Sequence, residues 1–88
     1  MQFKFEMTDP ASADFAALDS VVKRRIVVKM RFFAAQQNPL RFAERLHGAL
    51  FGQYRFRVGD YRILFDLDRK GVITILVILR IRHRREAC

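Results

Sequence analysis

Three arginines, at positions 55, 57 and 62, carry the most suggestive chemistry in the chain. They lie in Tyr54-Arg55-Phe56-Arg57-Val58-Gly59-Asp60-Tyr61-Arg62-Ile63-Leu64-Phe65, where apolar and polar residues alternate on both sides of Gly-Asp. Alternation about a two-residue turn predicts a β-hairpin. With Gly59 and Asp60 as the loop, Val58 pairs with Tyr61, Arg57 with Arg62, Phe56 with Ile63 and Arg55 with Leu64. One side then presents Tyr54, Phe56, Val58, Tyr61, Ile63 and Phe65 to a core. The other sets Arg57 opposite Arg62, with Arg55 two residues away. Directly opposed like charges destabilise a ladder by roughly 0.2–1 kcal/mol. A sheet that keeps them is arranged for an anion, and the planar, permanently charged guanidinium fork suits phosphate. That requires all three groups on one side and unclaimed by internal carboxylates.

Other groups that could do chemistry are sparser. Asp66 and Asp68 share a strand face, but two carboxylates at a strand end more commonly finish a turn than hold a metal. The two histidines and the single Cys88 show no metal-ligand spacing. His47 falls in an unstructured-looking stretch and reads as structural or exposed. Gly59 and Gly71 are turn glycines, without the spacing of a phosphate-cradling loop. No cofactor or metal is expected.

The elements that must position the arginines follow from pattern. Eighty-eight residues with 51% hydrophobic content and nine Phe specify one small domain with its own core. No apolar segment reads as a signal peptide, and the longest uncharged apolar run, residues 71–79, is too short to span a bilayer. A lone cysteine fits a reducing compartment, so a cytoplasmic protein is expected. The net charge of +8 is unevenly spread. Residues 1–22 are net −3, 23–47 net +6, 48–68 neutral and 69–88 net +5. Cations on one helix, one hairpin face and the C-terminal segment point to nucleic acid or an acidic protein as partner.

Gln2 to Glu6 reads as a strand. Asp9 with Pro10 starts a short helix carrying Ala11, Phe15 and Leu18, and Asp19-Ser20 caps a longer one running to about Gln37. The longer helix is apolar on two sides: Val22, Ile26, Met30 and Phe33 on one, Val21, Val28, Phe32 and Ala35 on the other. The first helix and the following loop would cover the second side; alternatively Val28 and Phe32 face a partner. Leu40, Phe42, Ala43 and Leu46 suggest a helical turn. A tight turn is expected at 68–71, then a central strand over 72–81. These add up to an α+β domain, two N-terminal helices on one face of a small, mostly antiparallel four-stranded sheet.

The Tyr54-to-Arg62 hairpin, the aliphatic strand, and Leu79-Arg80-Ile81-Arg82-His83-Arg84-Arg85-Glu86 together resemble the RelE/ParE superfamily of bacterial toxins, as do Leu18-Asp19, Arg24-Arg25-Ile26 and Arg45-Leu46-His47-Gly48. The resemblance covers nearly the whole chain. It implies a toxin of a type II toxin–antitoxin pair, neutralised by a cognate antitoxin. One branch cleaves mRNA in the ribosomal A site without metal; a ParE-like branch inhibits DNA gyrase and is no enzyme; an inactive member would serve as co-repressor with its antitoxin. In the nuclease branch, Arg55 and Arg57 match the basic pair on the first hairpin strand, Arg62 the arginine after the tyrosine, and Arg84 the arginine after the final strand. Arg80, Arg82 and Arg85 would add to the nucleic-acid contacts. His83, with an ordinary pKa of about 6.5, would serve in proton transfer. Strict alternation sets it opposite Arg80 and Arg82, so it reaches the cluster only if the strand has ended. Many family members carry a tyrosine a few residues beyond this segment; here Cys88 stands in that place.

Overall fold

The computed structural model describes residues 2–47 and 53–85. Five strands and two helices follow in the order β1 (Gln2–Met7), α1 (Asp9–Ala16), α2 (Ser20–Ala34), a short 3-10 helix (Pro39–Phe42), β2 (Glu44–Arg45), β3 (Tyr54–Val58), β4 (Tyr61–Lys70) and β5 (Ile73–His83). They form one sheet of order β1-β5-β4-β3-β2, antiparallel except for the β1–β5 pair. The α+β architecture is as expected, with one strand more than four. The addition is β2, two residues long and too short to leave a periodic trace.

The hairpin register is the one its alternation predicts, from Tyr54↔Phe65 to Val58↔Tyr61. Gly59 opens the loop at φ +59° and Gly71 opens the next at φ +62°, a region that side chains avoid. The second turn lies later than 68–71 suggests: β4 continues to Lys70, which pairs with Ile73, leaving Gly71-Val72 as a two-residue loop.

Both helices pack on one face of the sheet. There Phe56, Val58, Ile63, Phe65, Leu76, Ile78 and Ile81 meet Ala11 of α1 and Ile26, Met30 and Phe33 of α2. An aromatic column runs through this core, Phe33 stacking on Phe56 at 4.1 Å and Phe56 on Phe65 at 4.5 Å. The cap of α1 is Thr8, not Asp9. Its hydroxyl oxygen accepts from the Ala11 amide and lies 3.0 Å from the Ile78 carbonyl, tying helix start to central strand. Asp19 caps α2 as expected, but the helix ends at Ala34. Along α2 the covered side is Ile26, Met30 and Phe33, whereas Val21, Val28 and Phe32 remain exposed. The first helix does not cover that second side.

One irregularity decides where the functional side chains point. In the β4–β5 ladder Leu64 pairs with Arg80 but Phe65 pairs with Ile78, so Leu79 is an extra, bulged residue. Past it the alternation of β5 is inverted. Ile81 faces the core beside Ile63, Arg82 sits beside Arg62 on the open face, and His83 lies beside Tyr61 on the helix side. No described helix is long and apolar enough to cross a membrane.

Candidate nucleic-acid interface on the open face of the sheet

No described helix packs on the other face of the sheet, where β3, β4 and β5 bring arginines together. Arg57 pairs with Arg62 across β3–β4, and Arg62 pairs with Arg82 across β4–β5. Three guanidinium-bearing residues thus form one transverse row, with roughly 4.5–5.5 Å between paired Cα positions. The next row reads Glu44, Arg55, Leu64 and Arg80. Arg55, Arg57 and Arg62 share one side, as the alternation predicts.

They are not all unclaimed, however. Glu44 accepts a hydrogen bond from Arg55 Nη2 at 3.0 Å, and its other oxygen forms an ion pair with Arg57 Nε at 2.6 Å. The Arg55 hydrogen bond above all, followed by the charges of Arg55, Arg57 and Arg62, holds the Glu44 carboxyl below its ordinary pKa despite some desolvation. Glu44 is therefore a fixed anion at neutral pH. Around it stand Arg55, Arg57 and Arg62, and a single carboxylate does not balance the three. The Arg62 guanidinium donates to the Gly59 and Tyr61 carbonyls and has no carboxylate partner among the described residues.

Two of the expected site residues are engaged in contacts away from the arginine row. Arg80 has a structural role: its Nε and Nη2 grip both oxygens of Asp14 on α1 at 2.8 and 3.0 Å, and Asp14 also accepts from the Ile81 amide. The pair is partly buried, and Arg80 lowers the Asp14 pKa. His83 is still within β5 and sits on the helix side, its ring edge-on to Tyr61 at 5.2 Å. Its Nδ1 accepts from the Arg85 amide at 3.3 Å. The structure does not bring it to the arginine row, because the bulge turns it away.

Arg84 follows β5 and extends the ladder, its amide donating to the Asp60 carbonyl at 2.7 Å, with Nη1 3.8 Å from the Asp60 carboxylate. It flanks the hairpin loop at the end of the row. Arg85 lies in the same turn. Asp66 accepts from the Gln53 amide and Asp68 faces Lys70 at 3.5 Å, so both finish local structure. His47 is described only as part of the bend after β2, and Cys88 lies outside the described residues. Glu44 is the functional candidate that the sequence reading missed. Its one signal was being the single acid in a segment of net +6.

On the far side of the molecule, Val28, Phe32 and Phe42 form an exposed apolar patch, the two rings 5.4 Å apart and Lys29 Nζ 5.7 Å from the Phe32 ring. A cavity of about 560 Å³ adjoins it, lined by Gln36, Gln37, Asn38, Arg41 and Phe42.

The sequence matches the family of ParE toxins of type II toxin–antitoxin systems, parDE, over residues 5–88. It is 37% identical over 60 residues to Toxin RelG of Mycobacterium tuberculosis, a match covering 68% of this chain and 67% of that protein. The structure is similar to a chain of the toxin–antitoxin complex RelBE2 from the same organism, with TM-score 0.64 and 28% identity over 96% of this chain and 100% of that one. It also resembles a chain of the archaeal RelE–RelB complex from Pyrococcus horikoshii, with TM-score 0.67 and 21% identity over 96% and 97% of the two chains, a likeness of fold.

Proposed function

We propose, from the premise that this chain belongs to the ParE toxin family and is a toxin of a type II toxin–antitoxin system, that it blocks translation by cleaving mRNA on the ribosome. The observation that carries this is the Arg57–Arg62–Arg82 row. Opposing Arg57 to Arg62 across the ladder costs stability even with Glu44 against Arg57, whereas an RNA backbone threaded across the row brings anions to it. Cleavage through the 2′-hydroxyl builds negative charge on the phosphate, and preorganised donors aimed at that charge are the largest single contribution such a site can make. Arg62 and Arg82, at the centre of the face, are the residues for that role; Arg55 and Arg57 hold the neighbouring backbone, and Arg84 flanks the end where a leaving oxygen would emerge. Metal-independent chemistry is what the superfamily resemblance implies.

A second reading, gyrase inhibition without chemistry, is favoured by one observation. Among the described residues, His83 lies on the opposite side of the sheet, so β5 brings cations but no imidazole to the row. Pulsed expression with labelled amino-acid and thymidine incorporation separates the two. Immediate arrest of translation with mRNA ends mapping to the A site supports cleavage; DNA breaks and an SOS response in its place would overturn it.

The solved relatives are toxin–antitoxin complexes, and a cognate antitoxin is the partner proposed for this chain too. An acidic, amphipathic segment fits the Val28–Phe32–Phe42 patch, which Lys29 and Arg41 border. Loss of the copurifying antitoxin from a Phe32→Asp toxin is the expected result; undiminished copurification would place it elsewhere.

A further inference from the structure

We infer that Arg55 and Arg57 form a phosphate subsite which Glu44 occupies when no nucleic acid is bound, so that Glu44 is a displaceable internal anion selecting polyanions over single phosphates. The inference deepens the nucleic-acid reading above and depends on it.

The contact geometry is that of a stand-in. One carboxylate spans two guanidiniums, giving Arg57 Nε and Arg55 Nη2 one short contact each. Neither arginine obtains the paired, fork-on-fork contact that a carboxylate or phosphate can give. The shortfall is visible at Arg55, whose buried Nε has no hydrogen-bond partner among the described residues. Leaving such a donor unmet costs about 1–3 kcal/mol, more for a charged group. By contrast, Arg80 engages Asp14 through Nε and Nη2 together. A phosphodiester carries the same single charge as Glu44 but more acceptor oxygens, and can serve a whole fork.

Glu44 is also easy to move. It lies on the edge strand β2, which is joined to β3 through Glu44↔Arg55 and Arg45↔Tyr54 and, just beyond them, through the Leu46 amide on the Gln53 carbonyl at 2.8 Å, and its side chain is 44% exposed. A lone phosphate competing for the site gains two guanidiniums but must displace an anion tethered beside them. A chain of phosphates reaching Arg62 and Arg82 at the same time gains those contacts too, and multivalency shifts the competition in its favour.

The test is fluorescence anisotropy with a labelled single-stranded RNA octamer and the full chain, across a salt series. Glu44→Gln should tighten binding about tenfold, the scale of one charge-assisted contact. It should also steepen the salt dependence by about 0.7 per additional phosphate engaged. Asp68→Asn removes the same charge beside Lys70 and should change affinity less than about twofold, as expected of an exposed pair. Adding Arg57→Ala to Glu44→Gln should erase the gain. Glu44→Asp keeps the charge but falls a methylene short of spanning both groups, and should tighten binding by a smaller factor. Unchanged or weaker RNA binding by both Glu44 variants, each with a wild-type Tm, would overturn the subsite. Insensitivity of RNA binding to Arg62→Ala would instead overturn the nucleic-acid reading itself.

Discussion

Two arginine–carboxylate clusters on this sheet use the same chemistry to opposite ends. At the junction of β5 and α1, Asp14 and Arg80 meet one to one, with both guanidinium donors on both carboxylate oxygens and the Ile81 amide added. Charges cancel, donors are met, and the helix is fixed to the strand. On the open face, one carboxylate is shared between Arg55 and Arg57, and Arg55 keeps an unmet donor. The first cluster is complete without a ligand and the second is not. Stoichiometry and satisfied valence, rather than the number of arginines, separate a structural ion pair from a binding surface.

If that contrast holds, the largest effect belongs to the open face. Arg62→Ala should reduce RNA cleavage by about 10²–10³, the loss seen on removing one preorganised donor to a developing oxyanion. Its Tm and antitoxin binding should be unchanged. Colony counts after induced expression measure it; full growth arrest by the variant would remove Arg62 from the mechanism and erase the contrast.

The complementary break is Asp14→Asn, which should lower stability by about 2 kcal/mol, or about 10 °C in Tm for a domain of this size. It leaves a partly buried guanidinium without its counter-ion. Asp14→Leu with Arg80→Met should regain most of that, since removing both partners leaves nothing unmet. The Asp14 pKa is lowered in the folded chain, chiefly by the Arg80 hydrogen bond. The pair's contribution is therefore fully present above the unfolded-state pKa of about 3.9 and is lost as pH falls through the lower folded value. Urea denaturation of wild type and Asp14→Asn should show a constant gap from pH 7 to 5 that closes as the pH drops below 4. A gap that persisted at pH 2 would mean that packing, not charge, is what Asp14 supplies.

The asymmetry between the two clusters was only half legible in the sequence. Period-two alternation and a Gly-Asp turn define the hairpin register, because a one-residue slip would turn Phe56, Ile63 and Phe65 outward. The same logic put Arg55, Arg57 and Arg62 on one side. It could not show Glu44, which arrives on a strand of two residues from eleven positions upstream of Arg55. Nor could it show Asp14, whose contact with Arg80 spans 66 positions. Local pattern fixes which side a residue faces; which charges meet is set by how distant elements dock. The Leu79 bulge is the sharpest instance. An unbroken alternation through Ile78 would have sent Arg80 and Arg82 toward the helices and His83 to the open face. One extra residue in the ladder exchanges them.

That exchange makes the role of His83 the finest test. A general acid or base in position contributes about 10²–10⁴-fold to rate. His83 instead stands edge-on to Tyr61 and accepts the Arg85 amide through Nδ1, on the side of the sheet away from Arg62. His83→Gln should therefore alter RNA cleavage less than about threefold, well below the effect of a positioned proton-transfer group. It should also leave the shape of the pH–rate profile unchanged. A hundredfold loss with an altered profile would draw the reacting phosphate around the end of β5 to the helix side. Arg84 and Arg85 would then surround the chemistry, and the open-face row would serve only to hold the strand leading to it.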